Sequence, residues 1–123
     1  MKYVIEGTIK ELKKENKVWS FKIAGTDDYA SRQKKGKEEI RKNVLCLEST
    51  RVKDNKKPKN AIALEESTMF VIPTWEDIDK EYFHLLSLAL ANGKKCRICF
   101  LVKDKKLFDS NNCNISSLTL LAW

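Results

Sequence analysis

The chain has one histidine, four arginines against twenty lysines, and four glycines scattered at positions 7, 25, 36 and 93. Each scarcity excludes something. His84 has no identifiable nucleophile or carboxylate partner beside it and is not expected to run general acid–base chemistry. Scattered glycines leave no Gly-rich loop to cradle a phosphate. Few arginines mean few planar, bidentate contacts to phosphate or guanine, so any nucleic-acid contact is expected to be nonspecific. No stretch approaches the roughly 18–20 uninterrupted apolar residues of a membrane span. The opening Met1–Glu6 meets a charge at its sixth residue, short of the roughly 7–15 apolar residues of a signal peptide. A cytoplasmic protein is therefore expected, secreted only if a signal peptide was removed. Cys46, Cys96, Cys99 and Cys113 then read as reduced thiols rather than bridges.

What is present is a globular balance. Of 123 residues, 42% are apolar and 33% charged, which fits one domain spanning 1–123. The net charge of +7 is uneven: residues 1–24, 25–60 and 94–123 carry +3, +5 and +4, while residues 61–93 carry −5. Such asymmetry makes a directional field that steers an anionic partner.

Residues 2–12 alternate with period two, placing Tyr3, Ile5 and Ile9 on one face and Glu6, Thr8 and Lys10 on the other. This predicts a half-buried strand with Gly7 as a bulge or bend. After a turn at 13–16, residues 17–24 place Trp19, Phe21 and Ile23 on one face, and the two strands read as a hairpin. Residues 25–43 are polar and lysine-rich, with Gly36 in the middle, and are expected to form a long loop or insertion. Strands are expected at 44–52, 61–64 and 68–72, with a basic-tipped turn at 53–60. A helix over 75–91 is predicted by Thr74 as N-cap, Asp77 reaching back to it, and an apolar face of Ile78, Tyr82, Leu85, Leu86 and Ala89. Asn92-Gly93 closes it. Residues 94–102 place Cys96, Ile98, Phe100 and Val102 on one strand face, and 115–123 form a last strand.

One amphipathic helix between the third and fourth principal strands is the order of the OB-fold, a partly open five-stranded barrel. The expected class is mainly β with one principal helix: an OB-like five-stranded barrel carrying a basic insertion at about 25–60.

The run Tyr82-Phe83-His84-Leu85-Leu86-Ser87-Leu88-Ala89-Leu90-Ala91-Asn92-Gly93-Lys94-Lys95-Cys96-Arg97-Ile98-Cys99-Phe100, closing with Ile115-Ser116-Ser117-Leu118-Thr119-Leu120, resembles the helix and last two strands of the B subunits of AB5-type bacterial toxins. That resemblance implies an OB-fold, a ring of subunits and glycan binding. It covers about a third of the chain. No glycan-contacting residue can be matched, and the basic insertion departs from the pattern.

Cys96-Arg97-Ile98-Cys99 has the spacing of a zinc half-site, but residues three apart on a strand point to opposite faces, so the thiols do not converge. No metal, cofactor or catalytic residue is expected, and the chain does not read as an enzyme. Trp19 and Phe21 invite a base-stacking role, yet they share a face with Ile23 and fit a core better. The expected nucleic-acid-binding residues are Lys10, Lys22, Lys34, Lys35, Arg51, Lys53, Lys56 and Lys57. The leading expectation is nonspecific binding of single-stranded nucleic acid or another polyanion by phosphate neutralisation. The alternatives are an oligomeric glycan- or protein-binding barrel and a small adaptor or inhibitor that presents charge to a nucleic-acid enzyme; the expected partner is single-stranded nucleic acid or an acidic protein surface. Trp123 is expected under the barrel or in a subunit interface.

Overall fold

The computed structural model of the protein describes residues 1–48 and 61–121. Arg51, Lys53, Lys56, Lys57 and Trp123 lie outside the described residues, as do the end of the expected 44–52 strand and the basic turn after it. The fold is mainly β with one helix. In chain order it runs β1 (Lys2–Glu15), β2 (Val18–Gly25), a 3-10 turn (Asp27–Tyr29), β3 (Ala30–Lys35), β4 (Glu38–Leu47), β5 (Ile62–Glu65), β6 (Phe70–Ile72), α1 (Asp77–Asn92), β7 (Lys95–Leu101), a second 3-10 turn (Lys105–Leu107) and β8 (Ile115–Leu120). No helix among the described residues is long and apolar enough to cross a membrane.

The alternation in β1, β2 and β7 becomes burial. Tyr3, Ile5, Ile9, Trp19, Phe21, Ile23, Cys96, Ile98 and Phe100 all turn into one core. At its centre Phe21, Phe70 and Phe100 stack, with centroids 5.3 Å (Phe21–Phe70) and 5.1 Å (Phe70–Phe100) apart. All pairings are antiparallel: β1 pairs with β2, β4 and β7, β2 with β6, β4 with β3 and β5, and β7 with β8. A path β8–β7–β1–β2–β6 therefore runs through the sheet, and β4 carries β3 and β5 off it. No strand ladder joins β6 to β8 among the described residues. The connection before β8 spans that gap instead: the Val71 N–H donates to the Ser110 carbonyl at 2.8 Å, and the Cys113 N–H donates to the Val71 carbonyl at 3.0 Å.

Several expectations need correction. The sheet has eight strands among the described residues and is open, where a five-stranded barrel was expected. Residues 25–43 are not a loop. They leave β2 through the 3-10 turn and form the β3–β4 hairpin, with Lys35 opposite Glu38 across Gly36-Lys37. Gly36 has φ +65° at the first turn position, the pattern expected of a type II′ turn. Of the expected 44–52 strand, residues 44–47 form the end of a longer one that starts at Glu38. Strand β1 continues to Glu15, so its turn to β2 is Asn16-Lys17. The bulge in β1 lies between Ile9 and Glu11, not at Gly7.

Gly7 does something else. It faces Gly25 across β1 and β2, and a Cβ on Gly7 would lie 2.3 Å from the Ala24 carbonyl oxygen. On Gly25 it would lie 2.3 Å from the Tyr29 carbonyl oxygen. Backbone approaches backbone here, and no side chain fits.

The helix starts later than its pattern predicts. Trp75 stays outside the helix and packs edge-on against Phe83, with centroids 5.4 Å apart. Glu76 is the N-cap, and Asp79 at N3 accepts from the Glu76 N–H at 2.9 Å and the Thr74 hydroxyl at 2.7 Å. Thr74 and Asp77 are not the capping pair. Leu86 and Ala89 are buried as expected, but Ile78 is 51% exposed. Phe83 takes the buried face, set edge-on against Trp19 at 5.7 Å. Gly93 ends the helix in the left-handed conformation with φ 62°.

Candidate nucleic-acid interface

Hairpin β3–β4 is the most exposed ordered part of the described chain. Residues 32–39 are exposed without interruption, so both faces of the ribbon meet solvent over its outer half. Residues 30–42 hold six basic and two acidic side chains, with Ile40 the one large apolar residue. A two-stranded ribbon with no buried face gains nothing from core packing. Its root is held by polar bonds. Asn43 is fully buried; its Nδ2 donates to the Ile23 carbonyl at 2.7 Å and its Oδ1 accepts from the Gly25 N–H at 2.9 Å. These bonds satisfy backbone groups where β2 leaves the ladder. The Thr26 N–H donates to the Glu6 carbonyl at 2.9 Å, and the Arg41 guanidinium donates to the Gly25 carbonyl.

Register decides which charges share a face. On one face of the ribbon Arg32 lies opposite Arg41 and Lys34 opposite Glu39. On the other, Ser31 lies opposite Lys42 and Lys35 opposite Glu38. Arg32 pairs with Asp27 at 3.1 Å and Glu39 at 3.7 Å, and Arg41 pairs with Glu66.

The described residues of the expected site fall into two places. Lys34 and Lys35 sit at the tip of the ribbon, each opposite a glutamate. Lys10 is exposed at the β1 bulge, and Lys22 lies opposite Glu11, which also pairs with Lys13 at 3.0 Å. One groove does not gather these four. The residues that do converge were not singled out: Arg32, Arg41 and Lys95 come from three strands to one recess of about 460 Å³ at the root of the ribbon. The available signal was Gly36, which as a turn centre would have set Arg32 against Arg41.

Four aromatic rings of the described strands are withdrawn from stacking with a base. Trp19 and Phe21 are at most 1% exposed, Phe70 and Phe100 likewise, and their rings pack on one another. The thiols are equally withdrawn. All four cysteines are free and buried, and burial pushes the Cys96 and Cys113 thiols up to about 12 and Cys46 upward. Such thiols stay protonated and are poor nucleophiles or metal ligands. Cys96 joins the core while Cys99 lies on the opposite face beside Val4, so the CxxC pair does not converge. Among the described residues no group of three or more His, Cys, Asp or Glu side chains could hold a metal ion. Tyr29, partly buried against the core, neighbours Glu6 and Arg97, and burial followed by the Glu6 charge raises its phenol above the usual range.

Comparison with known proteins finds no family model, curated protein or solved structure that matches the chain.

Proposed function

We propose that this chain is a non-enzymatic module of OB-like architecture that binds single-stranded nucleic acid through the β3–β4 ribbon. The observation that carries the reading is an ordered ribbon, exposed over residues 32–39, with six basic and two acidic side chains and no packing role in its outer half. Basic side chains on such an arm neutralise phosphates and release counterions. The OB-like part rests on the path β8–β7–β1–β2–β6 with the helix between β6 and β7. In this reading β3, β4 and β5 are an insertion between the second and third barrel strands. With the aromatic rings in the core, contact is through phosphate rather than base stacking, and sequence preference is weak.

Fluorescence anisotropy with a labelled thymidine oligonucleotide tests this. Four phosphate contacts, from Arg32, Lys34, Lys35 and Lys37, predict a fall in affinity of about 50-fold between 50 and 200 mM salt. Absence of binding at 50 mM salt, or affinity that salt leaves unchanged, overturns the reading.

A second reading, a protein-binding or ring-forming barrel, draws on Leu101 and Leu107, which are 52% and 77% exposed beside one pocket. Sedimentation at micromolar concentration tests it, and a monomer counts against a ring.

A further inference from the structure

The recess at the root of the ribbon brings together Thr8 of β1, Thr26 after β2, Arg32 of β3, Arg41 of β4 and Lys95 of β7, and the carboxylates of Asp27 and Glu66 line it too, so its three cations face two anions. Register forces this convergence. Thr8 lies opposite both Ala24 and Lys95, which brings the start of β7 beside the end of β2. Arg32 and Arg41 lie directly opposite each other, a like-charge pair that destabilises a ladder unless something negative sits with it.

The two arginines are held differently. Arg41 is only 23% exposed and is fixed by Glu66 on one side and the Gly25 carbonyl on the other. It is a preset cation. Arg32 is 59% exposed, and its partner Asp27 is 86% exposed. An ion pair that open to water contributes little, about 0–1 kcal/mol. A phosphodiester, whose two anionic non-bridging oxygens accept charge-assisted bonds from guanidinium, competes well for the same group. Lys95 is exposed and has no ion pair among the described residues. The Thr8 and Thr26 side chains add two hydroxyl donors. Lys34 continues the face of Arg32, about 7 Å further along the strand.

We infer that this recess is a phosphate seat, in which Arg41 and Lys95 hold one phosphate group and Arg32 exchanges Asp27 for it. In the nucleic-acid reading, on which the strand's identity as ligand rests, the seat takes one backbone phosphodiester, and Lys34 takes the next contact along the ribbon. No covalent step is involved.

The test uses the full chain with two substitutions of exposed residues, Lys95→Ala and Asp27→Asn, each checked for folding by thermal melt, and Lys80→Ala on the helix as control. The probes are a labelled thymidine oligonucleotide and inorganic phosphate. Lys95→Ala is expected to weaken oligonucleotide binding about 5–10-fold and to lower the salt slope by about 0.7. Asp27→Asn removes the competing carboxylate and is expected to tighten binding about 2–5-fold, an effect that general loss of structure would not give. Inorganic phosphate is expected to shift the Gly25 and Thr26 amide resonances where equal chloride does not. Oligonucleotide binding that neither substitution changes, while Lys34→Ala weakens it, overturns the seat and leaves the nucleic-acid reading standing. Phosphate-dependent shifts at those amides without any oligonucleotide binding keep the seat, assign it to a free phosphate, and overturn the nucleic-acid reading. Neither response overturns both.

Discussion

Strand β2 buries Trp19, Phe21 and Ile23, each at most 1% exposed, whereas β3 buries Ser31 alone. Both strands sit in antiparallel ladders, that of β2 interrupted once by the β1 bulge. Beneath β2 lie stacked rings and aliphatic side chains, and the core clusters Phe21 with Phe70 and Phe100. Beneath the outer half of β3 lies water. The β1–β2 hairpin is stabilised by burial, and its backbone bonds are sheltered. The β3–β4 ribbon is stabilised at one end by Asn43 and Arg41, and its outer bonds compete with solvent. Rigidity and accessibility are thus divided between two hairpins of one sheet. The region that tolerates charge is the one that contributes least to the core.

The largest expected effect strikes the first of these regions. Phe21→Ala removes the ring shared by both neighbours in the stack and is expected to cost about 3–5 kcal/mol in urea unfolding. A cost near that of a ribbon substitution would break the distinction between the regions. Next is the joint between them. Asn43→Ala leaves the Gly25 N–H and the Ile23 carbonyl buried without their partner, and is expected to cost about 2–4 kcal/mol. Hydrogen exchange should then show the ribbon loosening before the β1–β2 hairpin.

The third effect depends on pH. The Cys96 and Cys113 thiols sit at about 12 in the fold against 9.0 unperturbed. Above pH 9 the unfolded chain gives up those protons while the folded chain keeps them. Stability is therefore intact below pH 9 and falls from there towards pH 12, by about 1.4 kcal/mol per pH unit for each thiol. Cys96→Ala should reduce that slope in a series of urea unfolding curves above pH 9. No ribbon substitution should change it. The smallest effect belongs to the ribbon: Lys35→Ala is expected to move stability by less than about 0.5 kcal/mol in the same assay. A larger loss would show that the tip supports the fold after all.

What the sequence revealed follows the same division. Alternation was legible in β1, β2 and β7 because each has a core face and a more polar face, with Val4 and Cys99 the buried exceptions on the second, and the inward sets Trp19, Phe21, Ile23 and Cys96, Ile98, Phe100 were readable as core. The ribbon was illegible for the same reason in reverse. With both faces in water, Arg32 to Glu39 has no apolar period, and a paired strand looks like a loop. Gly36 was visible in the middle of the expected loop, and it marks the turn of the hairpin. On α1 the closing glycine was clear, while the buried face was mistaken at Ile78 because Phe83 has aromatic partners, Trp19 and Trp75, that are distant in sequence. The candidate site depends on register. Arg32 meets Arg41, and Lys95 meets Thr8, only once the ladders are known. Alternation favoured Lys10 and Lys22, on the polar face of the first hairpin, and the fold leaves them beside the β1 bulge and Glu11.

The bare crossing of Gly7 and Gly25 sets a limit on how this chain can diverge. At those two positions any side chain would collide with main-chain atoms, and Asn43 beside them closes two backbone groups at once. The three residues stand at equal intervals of 18 along the chain. Descendants of this fold can exchange nearly every surface lysine and resize the ribbon, yet they should retain that glycine–glycine–asparagine spacing unless an insertion falls between its members. The spacing would then serve as a fingerprint by which distant kin could be recognised when nothing else in their sequences agrees.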